Sequence, residues 1–159
     1  MESGAVEIER RYLLPAVPPE IDTHRSERIQ QGYLAVADDG VEVRVRRRGT
    51  ATVITVKSGP GQVRVEEEFP IDERQFATLW PLTAGRQLSK TRYYVPLEEL
   101  VAEVDVYDGH LSGLVTAEVE FPSLDASARF SPPPWLSHEV TDDERYANQS
   151  LAAAAAPPD

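Results

Sequence analysis

Charged residues fall on every second position of one segment after another, and nothing else in this chain constrains its fold as strongly. Glu7, Glu9 and Arg11 oppose Val6, Ile8 and Tyr12; Glu42, Arg44, Arg46 and Arg48 oppose Val41, Val43 and Val45. Arg64, Glu66 and Glu68 oppose Val63 and Val65, and the pattern returns at Lys90 and Arg92, Glu103 and Asp105, and Glu118 and Glu120. A period of two is the mark of a strand, whose side chains point alternately to opposite faces. For one strand alone, a solvated outer face explains such charges, because antiparallel sheets commonly keep one face wet. Here nearly every strand carries the pattern, and the opposite face needs more cover than a few short helices provide. The signs are also sorted: paired acids sit on the first and last two strands, while Arg and Lys dominate the third and sixth. A closed barrel with the charged faces turned inward accounts for all three facts, because interior and exterior positions alternate along each of its strands.

The segments follow one another in that sense. Strands are predicted at 6–14, 29–37, 41–48, 52–57 and 63–71, with Asp38-Asp39-Gly40, Gly49 and Ser58-Gly59-Pro60-Gly61 as turns. This run reads as an antiparallel meander. Pro15, Pro18 and Pro19 make a loop after the first strand. Asp72 is placed to cap a short helix reaching Trp80. Three more strands follow at 88–95, 101–107 and 114–121, then a helical turn at 124–130, the break Pro132-Pro133-Pro134, and a last helix capped by Asp142 or Asp143 and running toward Ala154. The expected fold class is mostly β (α+β): an eight-stranded antiparallel β-barrel tunnel with a few short helices. Residues 1–154 are read as a single domain and 155–159 as a frayed tail.

Acids outnumber bases enough to give the 159-residue chain a formal charge of -11. That disfavours nucleic acid, which usually meets a basic footprint, but a few converging bases can still dominate one pocket. Cysteine is absent, which removes disulfides and thiolate chemistry. The first nine residues hold no apolar signal core and no stretch could span a bilayer, so a cytoplasmic location without a membrane partner is expected. Oligomeric state stays open, with a homodimer among the options. His24, His110 and His138 lack ligand spacing, and no nucleophile elbow, P-loop or dinucleotide fingerprint is present.

An interior with one acidic and one basic wall suits a specific cargo. Carboxylate oxygens suit a hard cation such as Mg²⁺ or Mn²⁺, and Mg²⁺ usually binds through one or two carboxylates plus substrate phosphates. Arg holds phosphate oxygens as a fork and Lys as a point charge. A polyanion bridged by metal between the walls uses both signs, and Arg64 joins the candidate anion-holding groups.

The residues also resemble a known family. Glu7-Ile8-Glu9-Arg10-Arg11 is similar to the ExExK signature opening CYTH-domain proteins, the triphosphate tunnel metalloenzymes. The likeness continues in order through Gln31-Gly32-Tyr33-Leu34, Val43-Arg44-Val45-Arg46, Thr55-Val56-Lys57, Lys90-Thr91-Arg92-Tyr93, Val104-Asp105-Val106-Tyr107, Ala117-Glu118-Val119-Glu120-Phe121 and Arg145-Tyr146. The resemblance is nearest to bacterial inorganic tripolyphosphatases. It implies metal-dependent hydrolysis of a terminal phosphoanhydride, with inorganic tripolyphosphate as the expected substrate. It makes Glu7, Glu9, Glu118 and Glu120 the metal ligands and Arg44, Arg46, Lys57, Lys90 and Arg92 the phosphate holders. Glu103 and Asp105 would support the attacking water or a second metal, and Tyr33 would act together with the signature lysine. That lysine is Arg11 here. Arg does not give up its proton as a tuned Lys can, so Arg11 suits a clamp better than a base. Three alternatives stand beside hydrolysis of tripolyphosphate: a polyphosphate- or nucleotide-binding module with weak or no turnover, a class IV-type adenylyl cyclase, and a thiamine triphosphatase.

Overall fold

The computed structural model describes residues 6–58 and 61–159, so the turn expected at 58–61 lies partly outside the described residues. The strands are β1 (Val6–Leu13), β2 (Ser26–Val36), β3 (Glu42–Arg48), β4 (Ala51–Lys57), β5 (Val63–Pro70), β6 (Gln87–Leu97), β7 (Leu100–Tyr107), β8 (Val115–Glu120) and the two-residue β9 (His138–Glu139). Three short helices accompany them: α1 (Glu73–Leu79), α2 (Leu124–Arg129) and α3 (Asn148–Ala153). Every strand pair is antiparallel, in the order β5-β4-β3-β2-β6-β7-β8-β1, and β1 pairs with β5 to close an eight-stranded barrel. Among the described residues no helix is long and apolar enough to cross a membrane.

The meander holds for β2 to β5, but β1 stands apart from it, between β8 and β5. The Pro-rich loop explains this, since it is no tight hairpin turn and instead buries Leu14 and Ile21 outside the barrel wall. β1 is divided between its neighbours. Val6, Glu7 and Ile8 pair with β5, whereas Glu9 to Leu13 pair with β8. Beyond Ile8, β9 partners Tyr12 and Leu13, and the Arg11 N–H donates to Thr141 Oγ1 at 3.0 Å. The strand therefore ends no hydrogen bond in empty space as β5 leaves it.

Alternation places the hydrocarbon outside this barrel. Outward-facing Ala102, Val104, Val115, Ala117 and Val119 pack with Tyr12, Leu14, Ile21, Phe121 and Leu136 into one buried cluster beneath the first loop and the segment around α2. A second cluster joins Tyr33, Leu88 and Tyr107 to Tyr146, Leu151 and Ala152, so the C-terminal segment is held against one end of the barrel by apolar packing. α1 begins as expected at Asp72, in a capping box in which Asp72 Oδ1 accepts from the Gln75 N–H at 2.7 Å and Gln75 Oε1 from the Asp72 N–H at 2.9 Å. The last helix departs from expectation: Asp143 caps a 3-10 turn at Glu144–Tyr146, and α3 starts only after Ala147.

Gly32 of β2 is required by a close approach. A Cβ there would lie 2.3 Å from Thr83 Oγ1 and 2.6 Å from Thr83 Cβ. Gly32→Ala is expected to destabilise the fold by roughly 1–3 kcal/mol in urea unfolding, as overpacking does. Adding Thr83→Gly to the same chain should recover part of the loss; no recovery would assign it to another cause.

Candidate active site

The inward faces enclose a cavity of about 270 Å³. Arg11, Arg44, Arg46, Arg48, Lys57, Arg64 and Arg92 line it together with Glu7, Glu9, Glu42, Glu66, Glu68, Glu103, Glu118 and Glu120. Seven bases against eight carboxylates leave the lining at −1, so almost all of the chain's charge of -11 lies elsewhere. Tyr33, Ala147 and Asn148 complete the lining.

The basic wall is built on β3 and β6, with Gln31 and Tyr33 of β2 beside it. Arg92 is gripped by Asp105 of the neighbouring β7, Nε to Oδ1 at 2.8 Å and Nη2 to Oδ2 at 2.9 Å. Its remaining nitrogen reaches Glu103 at 3.1 Å. Arg44 lies 3.5 Å from Glu66 and 3.7 Å from Glu42, and its buried Nε has no hydrogen-bond partner among the described residues. Arg46 differs from all of these. It is buried, its Nε donates to the neutral Gln31 Oε1 at 2.9 Å, and among the described residues no carboxylate lies within ion-pair distance. Burial first, then the neighbouring Arg44 and Arg92 charges, lower its pKa to about 10. Three guanidiniums thus crowd together with one left uncompensated, an arrangement that an anion would relieve. Gln31 Nε2 in turn donates to the Tyr33 hydroxyl at 2.9 Å, whose pKa burial raises.

The acidic wall carries the opposite surplus. Burial, and a hydrogen bond shared with Glu66, push Glu7 up to about 8. Burial and the Glu118 charge push Glu9 up to about 7. In each pair the second carboxylate stays low against its own burial, Glu118 because Arg11 faces it and Glu66 because it shares the Glu7 proton beside Lys57. Lys57 reaches three carboxylates, at 3.1 Å from Glu7 and 3.6 Å from both Glu9 and Glu66. Two crowded carboxylate pairs that share protons can exchange them for a cation.

Arg11 is held from every side. Nε donates to Glu118 Oε2 at 3.1 Å, Nη1 to the Tyr146 carbonyl at 2.9 Å, and Nη2 to Glu118 and, at 3.4 Å, to Glu9. Its pKa is raised, because the Glu118 and Glu9 charges outweigh burial. The next residue points outward, as alternation requires: Arg10 pairs with Glu139 at 2.7 Å on the outer surface.

Of the residues singled out by sequence, Glu7, Glu9, Arg11, Tyr33, Arg44, Arg46, Lys57, Arg64, Arg92, Glu103, Glu118 and Glu120 meet in the cavity. Lys90 and Asp105 do not line it. They form a buried pair 2.8 Å apart behind the wall, where Lys90 also reaches Asn148 Oδ1 at 3.2 Å. Burial lowers the Lys90 pKa to about 7, while Arg92 and Lys90 keep Asp105 low despite its burial. Glu42, Arg48, Glu66 and Glu68 line the cavity without having been assigned a role, although their parity already placed them on the same faces. Asn148 could not have been found that way. It lies on a helix, and only tertiary packing sets its side chain against Lys90 and the Tyr107 hydroxyl, 2.7 Å away.

No family model matches the chain. An inorganic triphosphatase of Nitrosomonas europaea is 47% identical over 147 residues, covering 92% of this chain and 96% of that protein. Another, from Acetivibrio thermocellus, is 37% identical over 124 residues, covering 77% of this chain and 78% of that protein. A crystal structure of an inorganic triphosphatase superposes with a TM-score of 0.70 at 43% identity, over 97% of each chain.

The buried ion pairs make a stability prediction. Asp105→Asn would leave Lys90 without its carboxylate and Arg92 with Glu103 and, at 3.5 Å, Glu118 alone, beside the uncompensated Arg46, and about 3–5 kcal/mol of unfolding free energy should be lost. Glu139→Gln, which breaks only the outer pair with Arg10, should cost about 1 kcal/mol or less. Urea titration of the two variants checks the contrast; equal losses would mean that the interior charge is not held by Asp105.

Proposed function

The chain belongs to the inorganic triphosphatases of the triphosphate tunnel family, and we propose that its tunnel hydrolyses a terminal phosphoanhydride of inorganic tripolyphosphate. The observation that carries this reading is Arg46, a buried cation with no carboxylate partner among the described residues, packed beside Arg44 and Arg92. That wall carries excess positive charge at Arg46, and the opposite wall holds surplus carboxylates.

Those carboxylates fit a divalent cation by their chemistry. Among the described residues no three His, Asp or Glu side chains converge into a ready-made cage. Mg²⁺ commonly takes one or two carboxylates and completes its shell with water and substrate phosphates, so no closed cage is required. Glu7, Glu9, Glu118 and Glu120 would hold Mg²⁺ or Mn²⁺, which when bound supplies positive charge to the phosphate oxygens.

The chain's own groups do the rest. Arg44, Arg46, Arg64, Arg92 and Lys57 hold the phosphate oxygens and stabilise charge as the terminal phosphoryl group loosens. Glu103 keeps one carboxylate oxygen free of Arg92 and serves as acceptor for the proton of the attacking water. Asp105, engaged by Arg92 and Lys90, positions Arg92. The Tyr33 hydroxyl, buried and still protonated at neutral pH, offers a hydrogen-bond donor at the inner end. Arg11 holds Glu118, Glu9 and the Tyr146 carbonyl in place and takes no proton, because its own is bound more tightly than usual.

Phosphate release from tripolyphosphate with Mg²⁺ or Mn²⁺ tests the reading. The wild type should turn over, and Glu9→Gln should lose about 100-fold or more of kcat/KM, the scale of losing several kcal/mol of charge stabilisation. A wild type that binds tripolyphosphate in calorimetry without releasing phosphate would defeat it, and turnover restored by Arg11→Lys would show a clamp where the reaction needs a base. Cation binding should also depend on pH. Protonated Glu7 and Glu9 must lose their protons to take up metal, so Mn²⁺ affinity should rise from about pH 6 to about pH 9 with measurable proton release. Calorimetry in buffers of different ionisation enthalpy reads both; affinity independent of pH would remove these two groups from the ligand set.

A further inference from the structure

Building on the triphosphate reading above, we propose that the carboxylates at the mouth of the tunnel, Glu68 foremost, act as a charge filter that rejects phosphate chains longer than three. The cavity is short, about 270 Å³. Ala147 and Asn148 line it on the side of the C-terminal segment, held there by the Tyr146 and Leu151 packing and by the Lys90 and Tyr107 bonds to Asn148. The groups that can hold phosphate lie deep: Arg44, Arg46 and Arg92 are buried, and Lys57 with them. A longer chain must therefore extend outward past the exposed part of the lining.

That exposed part is acidic. Glu68 and Glu120 are exposed, and Glu103 is 34% exposed while reaching inward to Arg92. The base at the mouth is Arg48, whose guanidinium lies 3.8 Å from Glu27. Among the described residues Glu68 makes no ion pair; it accepts a hydrogen bond from Thr55 Oγ1 at 3.2 Å, and it lies outside the proposed metal and phosphate ligands. The second way out is no better for an anion. A cleft of about 190 Å³ on the far side of Glu9, Arg11 and Arg64 presents Asp142, Asp143 and Glu144. Phosphate charge is thus favoured only within the Arg cradle, and a fourth phosphate would sit against like charge. Unit charges a few ångströms apart interact by about 1 kcal/mol even in water, so a single carboxylate here is enough to discriminate. Chain length is then read by charge at the mouth, in addition to the space available inside.

The test compares tripolyphosphate, tetrapolyphosphate and long-chain polyphosphate as substrates of wild type, Glu68→Gln and Glu68→Lys, following phosphate release at low salt. For the wild type, kcat/KM should fall at four phosphates and again for long chains. Glu68→Lys should raise the long-chain to tripolyphosphate ratio by about tenfold, and Glu68→Gln by about threefold, with tripolyphosphate itself changed less than about threefold; high salt should compress the differences by screening. An unchanged ratio in Glu68→Lys, or an equal rise for all chain lengths, overturns the filter. If no chain is hydrolysed, the hydrolytic reading fails alone, and the same ratio taken from calorimetric affinities for the three chains still decides whether the filter exists.

Discussion

Compensated charge in the lumen is the constraint on which the rest of this molecule depends. An ion removed from water costs several kcal/mol unless it finds a partner with good geometry. Here partners come from different strands: Asp105 of β7 grips Arg92 and Lys90 of β6, and Lys57 of β4 reaches Glu7 and Glu9 of β1. The first braces a hairpin and the second ties together strands that are remote in sequence, and both restrict the barrel to the register in which they form. Because the lumen is full of ions, apolar burial has to occur elsewhere. It occurs on the outer face of β7 and β8 and against one end, where the C-terminal segment docks.

The compensation is incomplete at two places, and those places define the chemistry. In the Arg44, Arg46 and Arg92 group Arg46 has no carboxylate partner among the described residues, while in the Glu7–Glu66 and Glu9–Glu118 pairs two carboxylates crowd together and raise the pKa of Glu7 and Glu9. On the proposed reading, a cation and a polyphosphate would supply complementary charge at both places. Recognition and stability are then opposed in the same residue, since the cation offered to substrate is one that the fold leaves without a carboxylate.

Arg11 joins these two themes to the C-terminal segment. A lysine at this position would have one short-range ammonium to share. The guanidinium fork instead reaches Glu118, Glu9 and the Tyr146 carbonyl together, linking the acidic wall to the C-terminal segment. The substitution therefore trades a group able to lose a proton for one that fixes geometry. On the proposed reading, proton transfer falls to the carboxylates.

Much of the barrel was legible beforehand. The β1 signature from Glu7 to Arg11, the Arg44–Arg46 wall and the Glu118–Glu120 pair all kept the face that parity gave them. The cap at Asp72 was equally readable, because a capping box is a contact over three residues. What could not be read was of a different kind. Lys90 and Asp105 share the inward parity of Arg92, yet they lie behind the lining, Arg46 is left without a carboxylate, and Asn148 arrives from a helix. Side-chain direction along a strand is a local property of the backbone, and so the sequence by itself determined that the charges face one another inside a barrel. Which charges meet, which one is left over and which helix packs beside them depend on register, strand tilt and the docking of distant segments, and only the tertiary structure decided them.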